Sequence, residues 1–263
     1  MENKYKLTEE SITFNGRKLY RIEAIRDFGN IKKGDKGGFV ETERNLSHDG
    51  NAWVSDNAIV CGYARVSDHA RVSGNASVRD FAKISGNAWV YGNVKVSGNA
   101  IIYGHSQVFD YAIVFGNAKV GGYATVSGNA TVSGNACVDG NANIRDYAIV
   151  SNYAKVSGNA WVVDKASVFD KAKVSGQSMI SGYANVSGDA NVCREEDYIV
   201  FRNWWSSYRY FTWTRSNNMW RVGCFYGTGE ELIKKAYKDS KKSGREYERI
   251  VKYVDGMLAD NKK

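Results

Sequence analysis

The sequence predicts a mainly β chain dominated by a parallel β-helix, and three observations predict it. From Val54 to Val192 every sixth residue is Val or Ile, 24 positions without a slip. Two residues before each of them stands Ala in 21 of the 24 units, the exceptions being Val94, Ser106 and Ser178. Between units lie turn-forming pairs such as Gly-Asn, Gly-Tyr, Asp-Tyr, Asp-Phe and Asp-Lys. One unit therefore reads Ala-x-Val-x-Gly-Asn. Residues two apart point to the same face of a strand, so Ala and Val both face inward. Gly and Asn tolerate the positive φ that a corner needs. Six residues are too few for strand-turn-strand pairing across two sheets. They fit one side of a three-sided coil, and the repeat then makes about eight coils of about 18 residues, a prism about 38 Å long at ~4.8 Å per paired strand.

This pattern resembles the hexapeptide-repeat, left-handed β-helix proteins, many of which are trimeric acyltransferases of the LpxA-like fold. Left-handedness and a homotrimer are what that resemblance implies. A second resemblance lies nearer the N-terminus. The strings Ala24-Ile25-Arg26-Asp27-Phe28-Gly29, Gly34-Asp35-Lys36-Gly37-Gly38-Phe39-Val40-Glu41 and Leu46-Ser47 are similar to phage and prophage hexapeptide-repeat proteins, including enterobacterial transferases of the YdcK type. It implies a viral or mobile-element origin.

A bare β-helix exposes unpaired strand edges at both ends, so caps are expected. Residues 1–50 read as the N-terminal cap, residues 51–193 as the helix and residues 194–263 as a small α+β domain. In the cap, Asn15-Gly16 separates the runs Ser11–Phe14 and Leu19–Ile22, a strong signal for a two-residue hairpin. In the C-terminal domain three strands are expected over Tyr198–Asn203, Tyr208–Arg215 and Met219–Phe225. Two helices follow. Thr228 with Glu231 forms one capping box and Ser243 with Glu246 another, placing the second helix from Gly244 to about Leu258. The string Gly223-Cys224-Phe225, then Gly227-Thr228 and Gly244-Arg245-Glu246-Tyr247, is similar to segments of uncharacterised phage proteins.

The outward positions of the repeat sort into columns. Trp53, Trp89 and Trp161 share one column, with Tyr91 and Phe109 in the neighbouring one. These five are the expected subunit interface, because a large exposed apolar stripe marks a contact surface. Another side carries Arg65, Lys83, Lys119, Lys155 and Lys173, read as a solvated face. The C-terminal domain interleaves aromatic and guanidinium groups. Arg202, Trp204, Trp205, Arg209, Tyr210, Trp213, Arg215, Trp220 and Arg221 are the expected ligand-binding residues, since aromatic planes with guanidinium groups suit stacked rings and phosphates.

Composition bounds the remaining readings. The formal net charge is +8, and residues 194–263 hold 15 basic against 10 acidic side chains, which favours an anionic partner there. No apolar run is long enough to cross a membrane as a helix, and the N-terminus lacks the apolar core of a secretory signal. Cys61, Cys137, Cys193 and Cys224 form no CxxC pair, as expected of reduced thiols in a cytoplasmic protein. No metal site, cofactor motif or catalytic residue is expected. His69 and His105 fall at corners, and the unbroken repeat leaves no loop to wall a donor site.

The leading expectation is therefore a phage-type, non-catalytic homotrimer that captures a host molecule, such as an anionic nucleotide immune signal, at subunit junctions or in the C-terminal domain. A host protein is the other partner considered, and neither a membrane nor specific DNA is expected. A structural or virion-associated spacer comes second, and an acyltransferase third.

Overall fold

The inward Val and Ile positions form the core of a three-sided coil. The computed structural model describes residues 3–260. Strands β1 (Tyr5–Phe14) and β2 (Arg17–Ala24) form the expected hairpin, and Asn15 and Gly16 both have positive φ, 49° and 76°. Strand β3 (Lys36–Val40) pairs antiparallel with β2. Twenty-four two-residue strands follow, from β4 (Trp53–Val54) to β27 (Asn191–Val192). Each pairs in parallel with the strand one coil away. Trp89 and Val90, for example, stand opposite Gln107 and Val108. The strands divide into three sheets, one per side. All of the Val and Ile positions, and the Ala two before each, are buried, so the core is one continuous column.

The corners explain the turn pairs. The seven aspartates that replace corner Gly, at 56, 68, 80, 110, 146, 164 and 170, have φ between 57° and 63°. Each carboxylate accepts the backbone N–H eighteen residues further on, at 2.8–3.3 Å. The side chain thus holds one coil to the next and offsets the steric cost of left-handed backbone. Corner asparagines link coils through their side chains: Asn99 Nδ2 donates to Asn117 Oδ1 and Asn117 Nδ2 to Asn135 Oδ1, 3.1 Å at each step.

The boundary between cap and helix differs from the expectation. β3 pairs in parallel with β5 (Ile59–Val60), and Leu46 bridges Val66, so residues 36–46 lay down a partial turn ahead of the first full coil. The hexad count misses it because eight residues, not six, separate Leu46 from Val54, and because Gly37 and Gly38 stand where outward and inward side chains would be. A Cβ on Gly37 would meet Ile22 Cγ1 at 2.4 Å and Val54 O at 2.6 Å. The backbone approaches too closely there for a side chain.

The two ends are closed differently. At the N-terminal end Lys4 is fully buried, and its Nζ donates to the carbonyls of Asp49 (3.4 Å), Gly50 (3.2 Å) and Ala52 (2.9 Å). The Tyr5 hydroxyl donates to the carbonyls of Leu46 (2.8 Å) and Glu43 (3.0 Å). At the other end, hydroxyls of the C-terminal domain accept the free N–H groups of the last coil. Thr212 Oγ1 accepts from Asn185 N at 2.8 Å, and Ser216 Oγ from Asn191 N at 2.7 Å.

That domain has four strands, one more than expected: β28 (Tyr198–Arg202), β29 (Tyr210–Thr214), β30 (Met219–Val222) and β31 (Phe225–Gly227), paired antiparallel in that order. The Gly223-Cys224 turn divides what reads as one strand in the sequence, with Gly223 at φ 58°. Helix α1 (Gly229–Asp239) has the expected Thr228–Glu231 capping box. Helix α2 (Lys241–Asp260) starts three residues before the expected Gly244. Its first turn is capped by Ser240, whose Oγ accepts from Ser243 N at 3.0 Å. Ser243 is thus the third residue of the helix and not its cap. Among the described residues, no helix is long and apolar enough to cross a membrane.

Candidate ligand surface at the C-terminal junction

Strand β29 sorts its aromatic side chains by alternation. Phe211 and Trp213 are fully buried against α1 and α2, while Thr212 and Thr214 on the opposite face lie against the last coil. Three of the expected ligand residues are therefore core. Trp205, Trp213 and Trp220 are all nine-tenths buried or more and pack with Phe211, Leu232, Tyr247 and Val251. A ligand cannot reach them, and their work is to hold the sheet to the helices. Periodicity could not separate them from exposed aromatics because both faces of β29 carry large residues. Arg215 stands apart near Asp197, with its Nε buried and unpartnered. Arg221 is spent on Phe169, its guanidinium 4.9 Å from the ring centroid on the solenoid wall.

The remaining four come together with residues the sequence reading did not single out. Tyr210 stacks on Tyr183 of the solenoid, centroids 4.4 Å apart and planes at 6°. Lys165, one coil earlier at the same corner, sits over Tyr183 at 5.3 Å. Arg202 lies over Tyr210 at 5.6 Å and over Tyr208 at 5.9 Å. The result is a column of cations and rings that crosses from the last coils onto the C-terminal sheet. Arg209 and Asn185 complete a shallow hollow of about 520 Å³ beside it. Trp204, 61% exposed, meets Trp205 edge-on at 6.1 Å on the adjoining loop.

Two features bear on what this surface can bind. The ion pairs among the described residues include none of Lys165, Arg202 and Arg209. And Tyr208, itself 61% exposed, has φ 56°. Left-handed backbone in a bulky residue costs about 1–3 kcal/mol and persists where the surroundings hold it. Lys165 and Tyr183 were legible in retrospect: they lie 18 residues apart at one corner.

The expected interface residues do not form one stripe. Trp53 is 4% exposed, edge-on to Phe28 at 5.4 Å and to Tyr5 at 6.4 Å, so its own cap covers most of it. Trp89 and Tyr91 line a cleft of about 500 Å³ beneath the loop that carries Asn30 and Asp35, where Arg71 donates to Asn30. Phe109 stacks on Tyr91 at 4.9 Å. Trp161 lies four coils from Trp89, beyond Gln107, Thr125 and Asn143, with the Arg145 guanidinium over it at 4.8 Å.

The histidines have structural surroundings. His105 stacks on Tyr123 at 4.8 Å, one coil along. His48 stacks on Tyr5 at 4.3 Å, and its Nδ1 accepts from Lys4 N at 3.3 Å. Burial holds its pKa below the ordinary histidine value. The four cysteines are unbridged, and among the described residues no group of three or more His, Cys, Asp and Glu side chains is placed to hold a metal ion.

Comparison with known proteins bears on the repeat. The YdcK beta solenoid repeat model matches residues 64–80 and 124–140. Over 70 residues the chain is 40% identical to the uncharacterized acetyltransferase YdcK of Escherichia coli K12, a stretch that covers 23% of this chain and 22% of that protein. The chain thus matches less than a quarter of that relative's length. Among solved structures, the UDP-N-acetylglucosamine acyltransferase of Campylobacter jejuni aligns over 58% of this chain and 70% of its own, with 14% identity and a TM-score of 0.28.

Proposed function

Starting from a chain built on the YdcK-type β-solenoid repeat, we propose that this protein is a non-catalytic binding protein. Its ligand is an anionic small molecule bearing a flat ring, and its binding surface is the junction between the last coils and the C-terminal sheet. One observation carries this: the column Lys165, Tyr183, Tyr210, Arg202 and Tyr208, in which the stacked pair Tyr183–Tyr210 is flanked by cations that pair with no carboxylate among the described residues and Tyr208 lies beyond Arg202. Rings of this kind stack on planar groups at about 1–3 kcal/mol per ring. Unpaired guanidinium groups suit phosphate and carboxylate. Assembly as a homotrimer and capture of a host molecule by a phage protein belong to the same reading and rest on the sequence resemblance.

Native mass spectrometry of the full chain, incubated with the small-molecule fraction of a cell extract, tests this. The expected result is a discrete added mass that disappears in the Arg202→Ala, Tyr210→Ala double variant. No added mass, or a mass that survives the double substitution, overturns the proposal.

The name of the bacterial relative raises acyl transfer as a second reading. That chemistry requires a base to deprotonate the acceptor. His48 borders a large hollow near the cap, but its Nδ1 already accepts from Lys4 N. The neutral ring then carries its hydrogen on Nε2 and has no free lone pair for a substrate proton. Nothing comparable to the cation–ring column supports catalysis.

A further inference from the structure

The loop that presents Tyr208 has a second side. Behind it, between the C-terminal sheet and the two helices, lies another hollow of about 240 Å³. Arg209 lines both hollows. The inner one has a closed polar floor. Asn203 Nδ2 donates to Ser206 Oγ at 2.9 Å and to the Tyr247 hydroxyl at 3.1 Å, and Asn203 Oδ1 accepts from Ser206 N at 3.0 Å. Asn203 and Tyr247 are buried, so this floor is rigid and its polar atoms are satisfied. Around it stand Arg209, Lys235, Ser207 and the Cys224 thiol. A Cβ on Gly223 would lie 3.7 Å from Arg209 Nη1, which places the guanidinium beside the Gly223-Cys224 turn at the rim. Like Arg209, Lys235 takes part in none of the ion pairs among the described residues. Asp239 is the lone carboxylate in the lining.

We propose that this inner hollow takes the phosphate of a phosphomonoester whose ring lies on the Tyr208–Tyr210 surface. The proposal rests on the reading above that the ring surface binds a ligand, and it names the chemical class. A fork-shaped guanidinium and an ammonium, both without a carboxylate partner, match a compact dianion that accepts several hydrogen bonds at once. Hydroxyl groups add donors without adding charge. Asp239 at the end of α1 repels a free dianion and accepts from a hydroxyl, so it favours an ester with hydroxyl groups over bare phosphate. Arg209 reaches both hollows and joins the two halves of the ligand.

Isothermal titration of the full chain with three probes tests it: inorganic phosphate, adenosine and adenosine monophosphate. Adenosine monophosphate is expected to bind at least tenfold more tightly than adenosine. Lys235→Gln, an exposed position, should remove most of that gain and leave adenosine binding unchanged. Tyr210→Ala should weaken adenosine and its monophosphate by the same factor. Equal affinity for adenosine and its monophosphate overturns the phosphate site and leaves the ring surface standing. Binding of inorganic phosphate with none of adenosine, and no added affinity for the monophosphate, overturns the ring surface and the joint ligand. Failure of all three probes to bind overturns both.

Discussion

The two ends of the solenoid meet one problem with opposite means. Each terminal coil leaves backbone groups that no further coil can pair. The N-terminal end answers with charge and burial: the Lys4 ammonium sits inside the structure and donates to three carbonyls. The C-terminal end answers with neutral hydroxyls on a separate sheet, Thr212 and Ser216, which accept N–H groups from the last coil. A buried ammonium with its donors satisfied cannot be removed cheaply, because the Ala52 carbonyl it leaves is buried. A hydroxyl contact at a sheet edge contributes less each. The lesson is that the N-terminal closure is a plug belonging to the core, while the C-terminal closure is a docked domain whose outer surface stays exposed.

The sharpest break in that comparison is Lys4→Met. It should destabilise the chain by about 2 kcal/mol in equilibrium denaturation, the cost of leaving the buried Ala52 carbonyl unmet. A loss no larger than that of an exposed lysine would mean the plug does not close the coil. The same residue predicts a pH dependence. Burial, with the nearby Arg26 charge, lowers its pKa to about 8 from the ordinary 10.5. Between those values the unfolded chain holds more protons at this site than the folded one, so stability should rise as pH climbs from 8 toward 10. The slope should vanish in Lys4→Met. The partner test at the other end is Thr212→Val, which removes the acceptor for Asn185 N at constant shape. About 1 kcal/mol is expected. A loss equal to that of Lys4→Met would erase the distinction between plug and dock.

The middle of the solenoid depends on neither end, and the smallest single effect belongs there. Asp110→Gly gives up one hydrogen bond, to Gly128 N at 3.1 Å, but relieves left-handed backbone in a residue with a Cβ. The two changes nearly cancel, and the melting midpoint should barely move. Asp110→Ala keeps the backbone cost and loses the bond, so it should destabilise by about 1–2 kcal/mol. Reversal of that order would show that the carboxylate contact, and not the backbone conformation, decides the choice of residue at corners.

How much of the site was legible follows from the same contrast. Arg202, Arg209 and Tyr210 could be proposed from an aromatic and basic run, but Trp205, Trp213 and Trp220 came with them, because a strand that is buried on one face and docked on the other shows no polar alternation to read. Trp53 was placed at a surface by its column and is covered by Phe28 and Tyr5, which lie far back in the sequence. Lys4 had no signal at all: a lone lysine near a terminus reads as solvated.

The sequence by itself determined the repeating part. A strict period of six specifies strand, corner and inward face at each step, and each coil contacts only its neighbours, so local pattern is enough. The stacking of 18-residue coils, the role of Asp at the corners and the capping of α1 all follow from short-range chemistry of that kind. What only the tertiary structure decided is whatever joins distant segments: the partial turn made by β3 and Leu46, the buried Lys4, and the meeting of Lys165 and Tyr183 with Arg202, Tyr208 and Tyr210. Those contacts depend on how the chain returns to itself, and no periodicity encodes a return that happens once.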